Sequence, residues 1–141
     1  MEAWVYPLKL LRDFRVTFRS GGRAIPAETL ARTVVVRPEA AEILYAEDNF
    51  AVRQKFFVPV QEPGAIISFE VESWAPLEIE VSFERDFQLM WPAAIGGSWA
   101  NWVPELKAFV LGEEQQKYVG IVGSPTATES GGEYFVNYHQ S

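Results

Sequence analysis

Apolar and polar residues alternate along most of this chain with a period of two, the spacing that sends every second side chain to one face of a β-strand. Phe14-Arg-Val-Thr-Phe-Arg19 alternates in this way and runs into Ser20-Gly-Gly22, which predicts a half-buried strand followed by a turn. Thr29 to Arg37 is rich in β-branched residues and stops at Pro38. Ile43 to Glu47 and the run from Phe50 flank Asp48-Asn49, a pair that tolerates the positive φ of a tight turn, and a hairpin is predicted there.

The next two runs can be set in register. Phe50 to Val60 places Val52, Gln54, Phe56 and Val58 on one face and Arg53, Lys55 and Phe57 on the other, and Ala65 to Trp74 separates Ile67, Phe69 and Val71 from Glu70 and Glu72. A four-residue turn Gln61-Glu-Pro-Gly64 sets Val60 against Ala65, pairs Arg53 with Glu72 and Lys55 with Glu70, and brings Phe56 to Phe69. A slip of one residue would place charges against Val71 and Phe69.

Leu77 to Phe87 turns Leu77, Ile79, Val81 and Phe83 inward and Glu78, Glu80, Ser82 and Glu84 outward. Pairing it with the preceding strand would set Glu72 near Glu78 or Glu80, and like charges repel. Either Arg53 and Lys55 soften the repulsion or the chain crosses to another sheet at Pro76, and the crossing is favoured because Trp74-Ala-Pro76 is not a standard tight-turn sequence. Further strands are predicted over Glu105 to Leu111, Lys117 to Val122 and Glu133 to Tyr138, with turns at Gly112-Glu-Glu114 and Ser130-Gly-Gly132. No stretch keeps a helical period beyond about two turns, so one short helix at most is expected, near Pro38 to Glu42. Roughly nine or ten strands at regular turn spacing predict an all-β antiparallel β-sandwich with little helix, a single domain over residues 1–141.

One segment lacks the alternation. Met90-Trp-Pro-Ala-Ala-Ile-Gly-Gly-Ser-Trp-Ala-Asn-Trp102 holds three of the five tryptophans and reads as an irregular loop, with Gly96-Gly97 as a hinge. Loops on a rigid scaffold carry recognition. Indole faces pack on the C–H groups of sugars and Asn hydrogen-bonds hydroxyls, so Trp91, Trp99, Asn101 and Trp102 are candidates for contact with carbohydrate or with another domain. The bland alternative is that these indoles bury in the core, as tryptophan does on average.

Composition narrows the chemistry. The chain is 48% hydrophobic, 22% charged and 14% aromatic, which is globular usage weighted towards sheet. A net charge of -7 and a pI near 4.7 argue against nucleic acid and anionic membrane surfaces. Without cysteine there is no disulfide framework and no thiolate metal site. No run reaches the length of a membrane span, the sequence opens on Glu2-Ala-Trp-Val-Tyr-Pro7 without a basic region followed by an apolar core and cleavage site, and the compartment stays open.

Of the 19 acidic residues, Glu70, Glu72, Glu78 and Glu80 alternate with core residues, as on a solvated sheet face. No acid and base pair for glycoside hydrolysis is legible. The lone His139 reads as a surface residue near the terminus, and the Gly-Gly pairs lack the lysine and helix of a phosphate loop. Catalytic residues, metal ligands and cofactors are therefore assigned to none.

Three segments carry a resemblance: Ala3-Trp-Val-Tyr-Pro-Leu-Lys-Leu-Leu-Arg-Asp-Phe14, Tyr45-Ala-Glu-Asp-Asn-Phe-Ala-Val-Arg-Gln-Lys-Phe-Phe-Val-Pro59 and Leu89-Met-Trp-Pro-Ala-Ala-Ile-Gly-Gly97. From Ala3 to about Ser124 the chain resembles the N-terminal β-domain of bacterial glycogen-debranching-type glycoside hydrolases of the glucoamylase-like clan. The resemblance implies a supersandwich that packs on a catalytic (α/α)6 barrel, the partner in the same parent chain, with α-glucan as the parent's substrate. It implies an N-terminal fragment of a larger enzyme whose catalytic carboxylates lie in the barrel. Two other functions fit the residues: an autonomous carbohydrate-binding module, and a structural or protein-interaction sandwich whose aromatic patch meets another domain.

Overall fold

A computed structural model describes residues 1–90 and 95–127 and shows an all-β chain of antiparallel strands. It divides into two compact units, Met1–Ala94 and Ile95–Ser141. In chain order the first holds β1 (Ala3–Val5), β2 (Leu8–Ser20), β3 (Arg23–Pro26), β4 (Ala31–Val36), β5 (Ala40–Glu47), β6 (Phe50–Phe57), β7 (Ile66–Ser73) and β8 (Glu78–Leu89). The second holds β9 (Ser98–Val103), β10 (Ala108–Glu113) and β11 (Val119–Gly123).

Two sheets face each other in the first unit. In one, the long β2 takes β8 along one edge and β1 and β3 on the two halves of the other; the second sheet has the order β4-β5-β6-β7. Their shared core joins Val16 and Phe18 of β2 to Tyr45, Phe50 and Val52 across the gap, and Ala27 and Leu30 of a 3-10 turn close it from the side. Phe18 is fully buried and meets Tyr45 and Phe50 edge-on, with ring centroids 5.3 and 5.5 Å away. Beside it the buried Tyr45 hydroxyl donates to Gln54 Oε1 at 2.7 Å, so the polar groups brought into the core satisfy each other. Burial, with the charge of Glu28 behind it, pushes the Tyr45 phenol above its usual pKa.

Local sequence explains most of the connections. Gly21 and Gly22 both take positive φ, as a two-residue turn between Ser20 and Arg23 with the twist of a hairpin requires. Asp13 takes φ 50 where the β2–β8 register shifts between Arg12 and Arg15, a bulge that bends the long strand. As the repulsion among glutamates predicts, the chain leaves one sheet after Ser73 and enters the other at Glu78. There the β8 carboxylates find the arginines of β2: Arg19 lies 2.7 Å from Glu80 and Arg12 2.9 Å from Glu84.

Several expectations are corrected. The β6–β7 register differs by two residues: Arg53 faces Glu70, Phe56 faces Ile67 and the strands end at Phe57 and Ile66. A shift of two keeps every side chain on its expected face, and the ladder stops early because Pro59 has no N–H to donate. The hairpin at Asp48-Asn49 forms, with Glu47 opposite Phe50, but neither turn residue takes positive φ. Pro38 and Glu39 form a bend and not a helix, and the helical turns are 3-10 segments at Ala27–Leu30 and Pro104–Leu106. Glu105 therefore precedes its strand, Gly112 and Glu113 lie inside β10 rather than in a turn, and β11 starts only at Val119. The strand expected over Glu133 to Tyr138, its turn at Ser130 to Gly132, and His139 lie outside the described residues.

Candidate functional site

The second half of the tryptophan-rich segment is a strand. β9 pairs with β10, and β10 with β11, so Trp99, Gly112 and Val119 form one row across the sheet and Asn101, Val110 and Ile121 the next. Directly opposed residues share a face, which puts these six side-chain positions on one side of the sheet. That face is open: Trp99 is 38% exposed, Val119 63% and Ile121 61%, and none of the six residues is ionisable.

Glycine shapes the surface. A Cβ at Gly112 would collide with the six-membered ring of the Trp99 indole, so the ring occupies the space over β10 that a side chain would fill. At Gly97 and Gly96 a Cβ would meet the carboxylate end of the Glu114 side chain. Neither takes positive φ, and a Cβ at Gly96 would stand 2.9 Å from Glu114 Oε2. The Glu114 N–H donates to the Gly97 carbonyl at 3.0 Å, which ties the entry of β9 to the end of β10.

The sequence-predicted residues do not form one surface. Trp99 and Asn101 share the open face, but Trp102, three residues from Trp99 on the same strand, points to the other side. There it is half-buried and meets Phe109 edge-on at 4.9 Å, on the side that also buries Leu111 completely. Trp102 thus packs against Phe109 on that side, and the irregular loop expected up to residue 102 ends at Gly97. Trp91 lies outside the described residues.

On the same side as Trp102, the buried Glu113 holds the turn into β11. Its carboxylate accepts the backbone N–H groups of Gln115 at 2.6 Å, Tyr118 at 3.1 Å and Lys117, around a left-handed Gln116. Burial alone would raise its pKa, but these three donors outweigh it and hold the carboxyl below the usual range. This glutamate is structural.

A polar cluster around one tryptophan, absent from the sequence reading, surrounds Lys9 in the first unit. The β1–β2 hairpin sets Trp4 opposite Lys9, and β8 sets Gln88 opposite Lys9 on the other side, so the three share a face. The Lys9 ammonium donates to Glu2 at 2.7 Å and Asp86 at 2.6 Å and lies 5.4 Å from the centre of the Trp4 ring. The Trp4 indole N–H donates to Glu2 at 3.0 Å, and the Gln88 amide donates to Asp86 at 2.9 Å. Hydrogen bonds to Asp86 and then Glu2 raise the Lys9 pKa, and those from Lys9 and then Trp4 lower that of Glu2. A hairpin at Tyr6-Pro7 would bring Trp4 to Lys9, but no local signal in the sequence brings Asp86 and Gln88 beside them.

Other carboxylates behave as a solvated face should. Glu70 bridges Lys55 at 2.5 Å and Arg53 at 3.5 Å, and Glu42 meets Arg37 at 3.2 Å. Among the described residues no group of acidic or histidine side chains is placed to hold a metal. Comparison with protein-family models, with curated proteins and with solved structures returned no match.

Proposed function

We propose that this chain is a non-catalytic β-sandwich domain of a carbohydrate-active enzyme, an α-glucan hydrolase of the glycogen-debranching type, and that its catalytic (α/α)6 barrel docks on the open face of β9–β11. One observation carries the docking part: Trp99, Val119 and Ile121 are exposed together in two adjacent rows of β9–β11 that hold no ionisable residue, with the Glu114 carboxylate only at their edge, in a chain 22% charged. Contiguous exposed apolar surface marks a contact site, and aromatic anchors dominate such contacts. The substrate class is supported by the resemblance of Ala3 to Phe14, Tyr45 to Pro59 and Leu89 to Gly97 to the β-domains of those hydrolases. The catalytic carboxylates belong to the barrel, and the role of this chain is to support it.

The test is hydrolysis of glycogen and maltooligosaccharides by the protein encoded by the complete reading frame, with residues 1–141 expressed alone beside it. The expected result is sugar release by the complete protein and none by residues 1–141. A complete protein inert on every α-glucan, or release by residues 1–141 that is lost when one of their own carboxylates is replaced, overturns the reading.

A further inference from the structure

The Lys9 cluster is built as a platform, and we infer that the outward face of Trp4 is a binding site for a neutral carbohydrate, an α-glucan if the function proposed above holds. The indole is fixed before any ligand arrives, because Glu2 holds its N–H and the Lys9 ammonium sits over one of its faces. Trp4 is nonetheless 48% exposed, so part of the ring stays in contact with solvent. A ring already held in place loses little freedom on binding.

The surroundings select the ligand. A second cation would have to stand beside the Lys9 ammonium, which already takes a lone pair of each carboxylate. An anion would meet the two carboxylates of Glu2 and Asp86 against a single ammonium. A wholly apolar partner would strip water from the rim of carboxylate and amide groups and return no hydrogen bonds. A pyranose satisfies all three conditions: it is uncharged, its C–H face lies on an indole, and its hydroxyls donate to carboxylate lone pairs that Lys9, Trp4 and Gln88 leave free. Tyr6, 85% exposed at the tip of the same hairpin, offers a second ring for a longer chain.

The experiment follows the indole N–H resonances of the 141-residue protein by NMR during titration with maltohexaose and, separately, cellohexaose. The Trp4 resonance is expected to shift saturably at millimolar sugar while that of Trp74, 92% exposed but without a Lys9-type cluster among its contacts, stays in place. Trp4→Ala should weaken binding about tenfold or more, and Trp4→Phe and Trp74→Ala less than about threefold. A Trp4 resonance unmoved by either sugar overturns the site, and so does equal affinity in Trp4→Ala. The wild-type resonance needs no variant, so a Trp4→Ala chain that fails to fold does not block the test. Glycogen hydrolysis by the complete protein with Trp4 silent removes this site alone; a saturable shift at Trp4 with no hydrolysis removes only the assignment to a glucan hydrolase.

Discussion

The outer face of the β4–β7 sheet and the open face of β9–β11 are both solvent-facing surfaces of antiparallel sheets, and they are built on opposite terms. On the first, Arg37, Glu42, Arg53, Glu70 and Lys55 form a chain of ion pairs between 2.5 and 3.9 Å, beside a shallow groove also lined by Thr33 and Leu44. On the second, Trp99 lies over Gly112 in a row with Val119, and Asn101 is the single polar side chain among the two rows. The first face also exposes Phe57 and Ile66 at its end, but its centre is covered by charges that pair across strands. An apolar face of the same geometry keeps a hydrophobic driving force that only a partner can release.

Both faces lie outside the core that holds the first unit together, and the largest expected effect marks that boundary. Phe18→Ala removes a fully buried ring with two aromatic neighbours and should cost about 3–5 kcal/mol in denaturant unfolding. A loss below about 1 kcal/mol would mean that the two sheets do not share this core.

Next comes the glycine under Trp99. Gly112→Ala should displace the indole, cost about 1–3 kcal/mol and shift the tryptophan fluorescence, because a Cβ there overlaps the ring. An unchanged emission spectrum would contradict the seating of Trp99 over Gly112. A smaller drop in melting temperature is expected for Glu113→Gln, which weakens the acceptor for three backbone N–H groups. The Glu113 carboxyl is held below the usual range, so its contribution is fully present above the unfolded-state carboxylate pKa. It is lost as pH falls through the lowered folded value, and the gap between variant and wild type should narrow in acid.

The smallest effect belongs to the charged face. Glu70→Gln removes an exposed acceptor for Lys55 and Arg53, and the change in melting temperature should shrink further in salt. The Glu70 pKa is lowered chiefly by its hydrogen bond to Lys55, so any stabilisation again fades as pH falls through the lowered value. A large, salt-independent loss would show that this face is not simply solvated.

The parity of the strands was legible from the residues alone. Val52 and Gln54 are buried and Arg53 is exposed, as the alternation requires, and the change of sheet between Ser73 and Glu78 follows from the glutamates that would otherwise oppose each other. Absolute register was not legible, because a shift of two leaves every face unchanged and only the loop length, Val58 to Ala65, distinguishes the alternatives. β9 was hidden for a different reason: tryptophans three apart fall on opposite faces of a strand, so Trp99 and Trp102 mask the period of two. Gly112 reads as a turn residue because nothing local reveals that it makes room for a ring from the neighbouring strand. The Lys9 cluster depends on three segments, at Glu2 to Trp4, Lys9 and Asp86 to Gln88, that only the fold brings together.

The contrast between the two faces is tested most directly by the affinity of the 141-residue chain for the proposed catalytic barrel supplied in trans, measured for wild type, Trp99→Ala and Glu70→Ala. Loss of the Trp99 ring should weaken association by about 2 kcal/mol, while Glu70→Ala stays within about twofold of wild type. Equal affinity for wild type and Trp99→Ala, or a larger loss from Glu70→Ala than from Trp99→Ala, would contradict the assignment of the β9–β11 face as the docking surface.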